Sequence, residues 1–134
     1  MKKLLCVISV LLCILLAACG NDTDNTTKGE NAMYEQITAE DAKKIMDSGE
    51  EHIILDVREQ DEYDAGHIPG AILLPYTEIE NKAEKLLPDN DKQILVYCRS
   101  GRRSKIAAEA LASLGYTNIK EFGGIIDWPY EVVK

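Results

Sequence analysis

The chain has 134 residues and a formal net charge of −8, from 15 basic and 23 acidic residues. An acidic balance of this size argues against nucleic acid as a partner and against adhesion to anionic lipid through protein charge. The length suits one domain with one hydrophobic core, preceded by a short N-terminal segment of different character.

Residues 1–18 have the layout of an export signal. A basic start, MKK, precedes an uncharged, leucine-rich stretch that is too short for the roughly 20 residues of a spanning helix. The stretch ends in LAAC at residues 16–19, which resembles a bacterial lipobox and implies cleavage before Cys19 and a lipid on its sulfur. An uncleaved anchor and an ordinary signal peptide are the alternatives. We expect attachment to the cell membrane through this lipid, with the domain outside the cytoplasm.

Cys98 is the one cysteine that this interpretation leaves free. Residues 19–33 are polar and predict a flexible tether, and residues 34–134 form the predicted domain. Cys6 and Cys13 would leave with the signal, and Cys19 would carry the lipid. Exported small domains usually pair their cysteines in disulfides, so an unpaired thiol serves either packing or reactivity.

Apolar runs alternate with helical patterns along the domain. The apolar runs predict strands at residues 52–57, 71–74, 93–97 and, more weakly, 118–122. The helical patterns predict helices capped by Thr38 and ended by Ser48-Gly49, then over residues 78–87 and 104–114. This alternation predicts an α/β domain with a mainly parallel sheet, in which ligands bind beyond the carboxyl ends of the strands. Cys98 follows the third predicted strand directly, where chemistry is expected.

The segment CRSGRRS, residues 98–104, sets the thiol in the densest positive charge of an acidic chain. A turn between a strand and a helix start directs successive backbone N–H groups inward, and these form an anion-binding nest. Together with Arg99, Arg102 and Arg103, they favour the thiolate of Cys98 and attract a small anion. The alternative is a buried, inert cysteine beside arginines that only solvate a helix start.

Four segments resemble, in order and spacing, those of the rhodanese family: LDVR at 55–58, EYDAGHIPGA at 62–71, the Cys98 loop, and GGIIDW at 123–128. The resemblance implies a rhodanese-like fold, with a sheet of about five strands flanked by helices on both faces. Related phosphatases have a C-x5-R loop, which would require arginine where this chain has Ser104.

The function implied by this resemblance is sulfur transfer through a persulfide on Cys98. A small anionic donor such as thiosulfate would supply the sulfur, and a thiophilic acceptor such as cyanide or a thiol would remove it. No metal or organic cofactor is implied. The alternative is a sulfur carrier or redox-partner module on the outer membrane face, which does not turn over by itself.

The resemblance assigns catalysis to Cys98 and substrate binding to the loop residues Arg99, Ser100, Gly101, Arg102, Arg103 and Ser104. Ser104 could equally act only as a helix cap. Asp56 and Arg58 are expected beside the site as supporting residues, with an ion pair between Arg58 and Glu62.

The remaining motif residues are expected to serve the scaffold. His67 should fix a turn through hydrogen bonds, Gly123 and Gly124 should pass close to the Cys98 loop, and Trp128 should pack beneath it. Neither histidine has metal-ligand spacing with Cys98, so no metal site is predicted.

Overall fold

The computed structural model describes residues 33–134. The predicted signal peptide, the predicted lipidation site at Cys19 and all but the last residue of the predicted tether lie outside the described residues. Within the part described, no helix combines the length and the apolar character needed to cross a membrane.

Five parallel strands form one sheet in the order β1-β5-β4-β2-β3. The strands are β1 (Glu35–Gln36), β2 (Ile53–Asp56), β3 (Ile72–Leu73), β4 (Ile94–Cys98) and β5 (Ile119–Gly124). Every residue of the central strand β4 is buried, as its continuous apolar run predicts for a strand covered on both faces. The α/β class, the parallel sheet and the number of strands are therefore confirmed.

Four helices connect the strands: α1 (Ala39–Asp47), α2 (Gln60–Ala65), α3 (Ile79–Leu86) and α4 (Arg102–Ser113). Short 3₁₀ turns cover Tyr76–Glu78 and Ile125–Asp127. Thr38 caps α1 as predicted, because its Oγ1 accepts a hydrogen bond of 3.0 Å from the backbone N–H of Asp41.

Alternate residues of the central strands contribute to two hydrophobic clusters, one on each face of the sheet. Leu55 and Val96 pack with α3 and α4 in a cluster that also contains Cys98. Ile54, Leu95 and Tyr97 pack on the other face with α1. Helices therefore cover both faces, as the resemblance implies, and Cys98 lies on the face of α3 and α4.

The sequence patterns missed two elements, β1 and α2. The two residues of β1 are exposed and polar, and only pairing with β5 makes them a strand. The six residues of α2 are mostly polar, and the helix begins with a capping box formed by Glu59 and Glu62. The start of α4 also differs, since Arg102 and Arg103 belong to its first turn although the helix was predicted from Ser104. The loop after Cys98 is thus only three residues long.

Candidate active site around Cys98

Cys98 is the last residue of β4 and lies at the carboxyl end of the central strand. Only 1% of the residue is exposed, and its sulfur lies beneath the loop of Arg99, Ser100 and Gly101. Gly101 has a φ of +103°, in the left-handed region that favours glycine, and α4 begins with the next residue. The loop therefore turns tightly over the thiol, at the edge of the sheet where ligands of parallel folds bind.

The sulfur of Cys98 is surrounded by hydrogen-bond donors. The backbone N–H of Gly101 donates to Sγ at 3.0 Å, and Ser104 Oγ lies 3.4 Å from Sγ. Burial raises the pKa of the thiol, but hydrogen bonds from the Ser104 hydroxyl and from the N–H groups of Ser104, Gly101 and Ser100 outweigh it. The pKa of Cys98 is therefore below its ordinary value, which favours the nucleophilic thiolate.

The three arginines of the loop have different surroundings. Arg99 and Arg102 are exposed, whereas Arg103 is partly buried and binds Glu62 through two hydrogen bonds of 2.7 Å. Hydrogen bonds with Glu62 raise the pKa of Arg103, and charge attraction to Cys98 adds to this. Hydrogen-bond donors of the loop and of Ser104, rather than arginine charges, are thus the contacts that lower the pKa of Cys98.

The predicted ion pair between Arg58 and Glu62 is wrong. The guanidinium of Arg58 instead binds the fully buried carboxylate of Asp56, at 2.9 Å through Nε and 2.6 Å through Nη2. Glu62 binds Arg103, and these hydrogen bonds lower the pKa of Glu62 to about 2. Asp56 also accepts a hydrogen bond of 2.7 Å from the hydroxyl of Tyr97, whose ring packs on the face opposite Cys98. Asp56 and Arg58 therefore support the sheet edge and do not contact the sulfur.

The two glycines at the end of β5 let the chain pass against the Cys98 loop, as predicted. A Cβ on Gly124 would lie 2.1 Å from the carbonyl oxygen of Arg99, so a side chain cannot fit there without moving backbone. The same carbonyl accepts a hydrogen bond of 3.2 Å from the N–H of Ile126. The prediction that Trp128 packs beneath the Cys98 loop is wrong, because Trp128 packs against Phe122 on the other face of the sheet, with ring centroids 5.6 Å apart.

Glu121 is a residue of the site that the sequence interpretation missed. It lies on β5, is only 3% exposed, and its Oε1 accepts hydrogen bonds from Ser104 Oγ at 2.6 Å and from the N–H of Gly123 at 2.9 Å. Ser104 is fully buried, so its hydroxyl faces Glu121 and Cys98 from below the loop. The sequence feature that could have revealed Glu121 is the period-two pattern of β5, which places Glu121 on the same inward face as Ile119.

His67 contacts neighbouring residues of its own turn and of the C-terminal segment. His67 Nδ1 is 2.9 Å from the carbonyl oxygen of Tyr63, its ring stacks on that of Tyr63, and its backbone pairs with Val133. This confirms the predicted role of His67 in fixing a turn. Among residues 33–134, no group of three or more His, Cys, Asp and Glu side chains is arranged to hold a metal ion.

Comparison with known proteins agrees with this geometry. A model of the rhodanese-like domain matches residues 38–129. The chain belongs to the rhodanese-like domain family. Thiosulfate sulfurtransferase PspE of Escherichia coli is 38% identical over 80 residues, which cover 60% of this chain and 77% of PspE. Its relatives in this family include sulfurtransferases, so sulfur transfer is supported at the level of the family.

Two further similarities define the extent of the match. The Bacillus subtilis protein named "Putative sulfur carrier protein YrkF" is 42% identical over 94 residues, 69% of this chain, and the chain spans about half (50%) of YrkF. The crystal structure of a rhodanese-related protein from Thermoplasma volcanium is 36% identical, with a TM-score of 0.65, and the match covers 75% of this chain and 98% of that one. The fold is therefore that of a rhodanese-like domain.

Proposed function

We propose that this protein is a sulfurtransferase that carries sulfur as a persulfide on Cys98. The observation that carries the proposal is the buried sulfur beneath a glycine turn, with the N–H of Gly101 donating to it at 3.0 Å. Such donors stabilise the thiolate of the free enzyme, and they would also stabilise the negative charge on the terminal sulfur of a persulfide. Membership of the rhodanese-like family and the likeness to PspE support the same chemistry.

The reaction has two steps, and the sulfur of Cys98 takes part in both. In the first, the Cys98 thiolate attacks the outer sulfur of thiosulfate, a new S–S bond forms, and sulfite leaves with the electron pair of the old S–S bond. In the second, cyanide or a thiolate attacks the terminal sulfur of the persulfide, and the Cys98 thiolate is the leaving group. Charge is conserved in each step, and ping-pong kinetics follow from the covalent intermediate.

The shape of the loop favours sulfur transfer over phosphate transfer. Arg103 ends a C-x4-R segment, and it is already bound to Glu62 by two hydrogen bonds. Position 104, where a C-x5-R phosphatase would have arginine, holds a serine buried beneath the loop. Arg99 and Arg102 are exposed at the entrance and would attract a small anion such as thiosulfate.

Replacement of Cys98 tests the proposal. Cys98→Ser should abolish transfer of sulfur from thiosulfate to cyanide, measured as thiocyanate formed, while circular dichroism shows the fold retained. Cys19→Ser, a cysteine outside the proposed site, is the control and should keep full activity in detergent solution. An unchanged rate in Cys98→Ser would refute the persulfide mechanism.

A sulfur carrier without turnover is the second candidate, and the likeness to YrkF, named as a sulfur carrier, favours it. A carrier would take one sulfur from thiosulfate and then stop unless its protein partner is present. Thiocyanate formation over many cycles with cyanide alone supports the enzyme. A single equivalent of thiocyanate, or a mixed disulfide between Cys98 and an exported redox partner, supports the carrier.

We also propose that a lipid on Cys19 attaches the protein to the cell membrane, with the domain outside the cytoplasm. The support is the sequence LAAC at the end of a short apolar stretch. A cysteine with two or more acyl chains would give a stable anchor. Cys19→Ser should abolish incorporation of a radiolabelled fatty acid into the protein, and unchanged incorporation would contradict the proposal.

A further inference from the structure

Two arginines at the entrance to the site have no acidic partner in the domain. Three of the chain's 15 basic residues are Arg99, Arg102 and Arg103, in a chain with 23 acidic residues. Glu62 neutralises Arg103 through an ion pair of 2.7 Å. Arg99 and Arg102 are exposed and form no ion pair within residues 33–134. The entrance is therefore a small basic area on an acidic domain.

Exposed isoleucines flank the two arginines. Ile126 is 59% exposed, and its N–H donates to the carbonyl oxygen of Arg99 at 3.2 Å, so it lies directly beside the loop. Ile106 is 40% exposed and follows Arg102 by four residues on α4, which places the two side chains on the same face of the helix. One exposed isoleucine needs no explanation, but two of them beside the arginines of an active site suit a contact surface.

We call Arg99, Arg102, Ile106 and Ile126 the entrance surface. Arginine is enriched at protein interfaces, where lysine is depleted, because its planar guanidinium is weakly hydrated and pairs with a carboxylate through two hydrogen bonds. Asp127, exposed next to Ile126, borders this surface and leaves two positive charges against one negative charge. A segment that carries carboxylates and an apolar side chain complements the entrance surface.

The depth of Cys98 limits the shape of a partner. Cys98 is only 1% exposed, so it offers a partner almost no surface of its own. The contacts that hold a partner must therefore come from the residues around the loop. A flat protein surface would rest on these residues and keep its thiol away from the site, whereas a chain end or a projecting loop can bring a thiol towards the sulfur.

We propose that the entrance surface binds the sulfur acceptor, and that this acceptor is a protein with its cysteine on a projecting, acidic segment that also carries an apolar side chain. The carboxylates pair with Arg99 and Arg102, and the apolar side chain packs on Ile126. The acceptor thiolate attacks the terminal sulfur of the Cys98 persulfide and forms a new S–S bond. The old S–S bond breaks, its electron pair stays on Cys98, and the acceptor leaves as a persulfide with the total charge unchanged.

This acceptor deepens the proposed function and rests on the persulfide at Cys98. Sulfite leaves before the acceptor reacts, because the two steps are separated by the covalent intermediate. Arg99 and Arg102 can therefore attract the donor anion in the first step and pair with the acceptor's carboxylates in the second.

Discharge of the loaded protein by synthetic thiol peptides tests the inference. The full chain in detergent solution is loaded with thiosulfate, separated from the donor, and checked for one added sulfur by intact mass. The acidic probe is a five-residue peptide with leucine beside its cysteine and aspartate elsewhere, and the basic probe has lysine in place of each aspartate. Each rate is divided by the rate of the same peptide with an uncharged small disulfide, which corrects for the thiolate fraction.

The acidic peptide should remove the sulfur at least about 10-fold faster than the basic peptide at low salt, after this correction. The ratio should fall at high salt, because the arginines are exposed and their attraction is screened.

Ile126→Gln separates the apolar contact from the charges. The Ile126 side chain is exposed and only its backbone binds Arg99, so the fold and the loop should be retained. The rate with the acidic peptide should fall about 5-fold, and the rate with cyanide should stay the same. Met33→Gln is the matched control, since Met33 is 69% exposed but lies just before β1, at the edge of the parallel sheet opposite Cys98. It should leave both rates unchanged.

Equal corrected rates for the acidic and basic peptides at low salt would overturn the inference, and the arginines would then serve only the small donor anion. An unchanged rate of Ile126→Gln with the acidic peptide would also overturn it. Failure of the loading step would overturn the proposed function and this acceptor with it. Normal loading and discharge by cyanide, with no preference between the peptides, would overturn the acceptor alone.

Discussion

The closest backbone approach in the site makes Gly124→Ala a sharp test of the loop geometry. The new Cβ would lie 2.1 Å from the carbonyl oxygen of Arg99 and 2.6 Å from Cα of Ser100, whereas real Cβ atoms essentially never come within 3.0 Å of such a neighbour. The Cys98 loop must therefore move by roughly 1 Å, a misplacement that costs on the order of 100-fold in rate.

The cost in stability of Gly124→Ala follows from the same clash. Overpacking of this kind costs roughly 1–3 kcal/mol, which lowers the Tm of a domain of this size by roughly 4–8 °C for each kcal/mol. The assay is thiocyanate formation from thiosulfate and cyanide, with Tm followed by circular dichroism. We expect a rate reduced about 100-fold at a temperature where the variant is fully folded.

Gly49→Ala is the matched control for this prediction. Gly49 has a φ of +80° and open space around its missing side chain, so alanine there costs only backbone strain of about 1–2 kcal/mol. The control should lose comparable stability and keep its activity. Full activity in Gly124→Ala, or an equal loss in Gly49→Ala, would refute the argument that the close approach positions the loop.

The contacts of Glu62, of Tyr97 and of the two exposed arginines next to Cys98 each lead to a measurable outcome. The Glu62 pKa is depressed to about 2 in the folded protein by Arg103, so this pair contributes stability above the ordinary pKa of a glutamate, and the contribution is lost as pH falls towards 2. The free energy of unfolding, measured with urea, should fall more between pH 5 and pH 3 for the wild type than for Glu62→Gln. Equal decreases would contradict this contribution of the ion pair. Tyr97→Phe removes a buried hydroxyl that accepts a hydrogen bond from the N–H of Ile68 and donates one to Asp56. The change should lower the free energy of unfolding by about 1–3 kcal/mol and preserve kcat. An unchanged free energy of unfolding would contradict this. Replacing the exposed Arg99 and Arg102 by alanine should raise KM for thiosulfate more at low than at high salt, and a salt-independent effect would show that they do not act by long-range attraction.

The position of Cys98 could be predicted because its signals are local. A continuous apolar run marks a strand buried on both faces, and the residue after such a strand lies at the binding edge of a parallel sheet. The glycine at 101 and the start of a helix nearby complete a turn that can be recognised from about ten residues. The close passage of Gly123 and Gly124 was likewise expected, from the resemblance to rhodaneses.

The partners of the charged residues could not be predicted in the same way. Arg58 and Glu62 have the spacing of a helical i, i+4 pair, but α2 begins only at Gln60, so Arg58 is not on the helix and turns back to Asp56. Glu62 binds Arg103 at a separation of 41 residues, a contact between α2 and the first turn of α4 that local spacing does not reveal.

Glu121 was missed for a related reason. Its place beneath the active-site loop follows from the register of β5 against β4, where Val96 pairs with Glu121 and an irregularity brings Cys98 opposite Gly124. A short, weakly apolar strand does not reveal that register in advance. The acid at an inward position was visible in the sequence, but its partner Ser104 was assigned to substrate binding or helix capping.

The intact mass of the protein after incubation with thiosulfate and no acceptor shows whether Cys98 carries a persulfide. We expect the mass of one added sulfur, absent from Cys98→Ser and removed by cyanide. An unchanged mass, with the Cys98 thiol still open to alkylation, would contradict it.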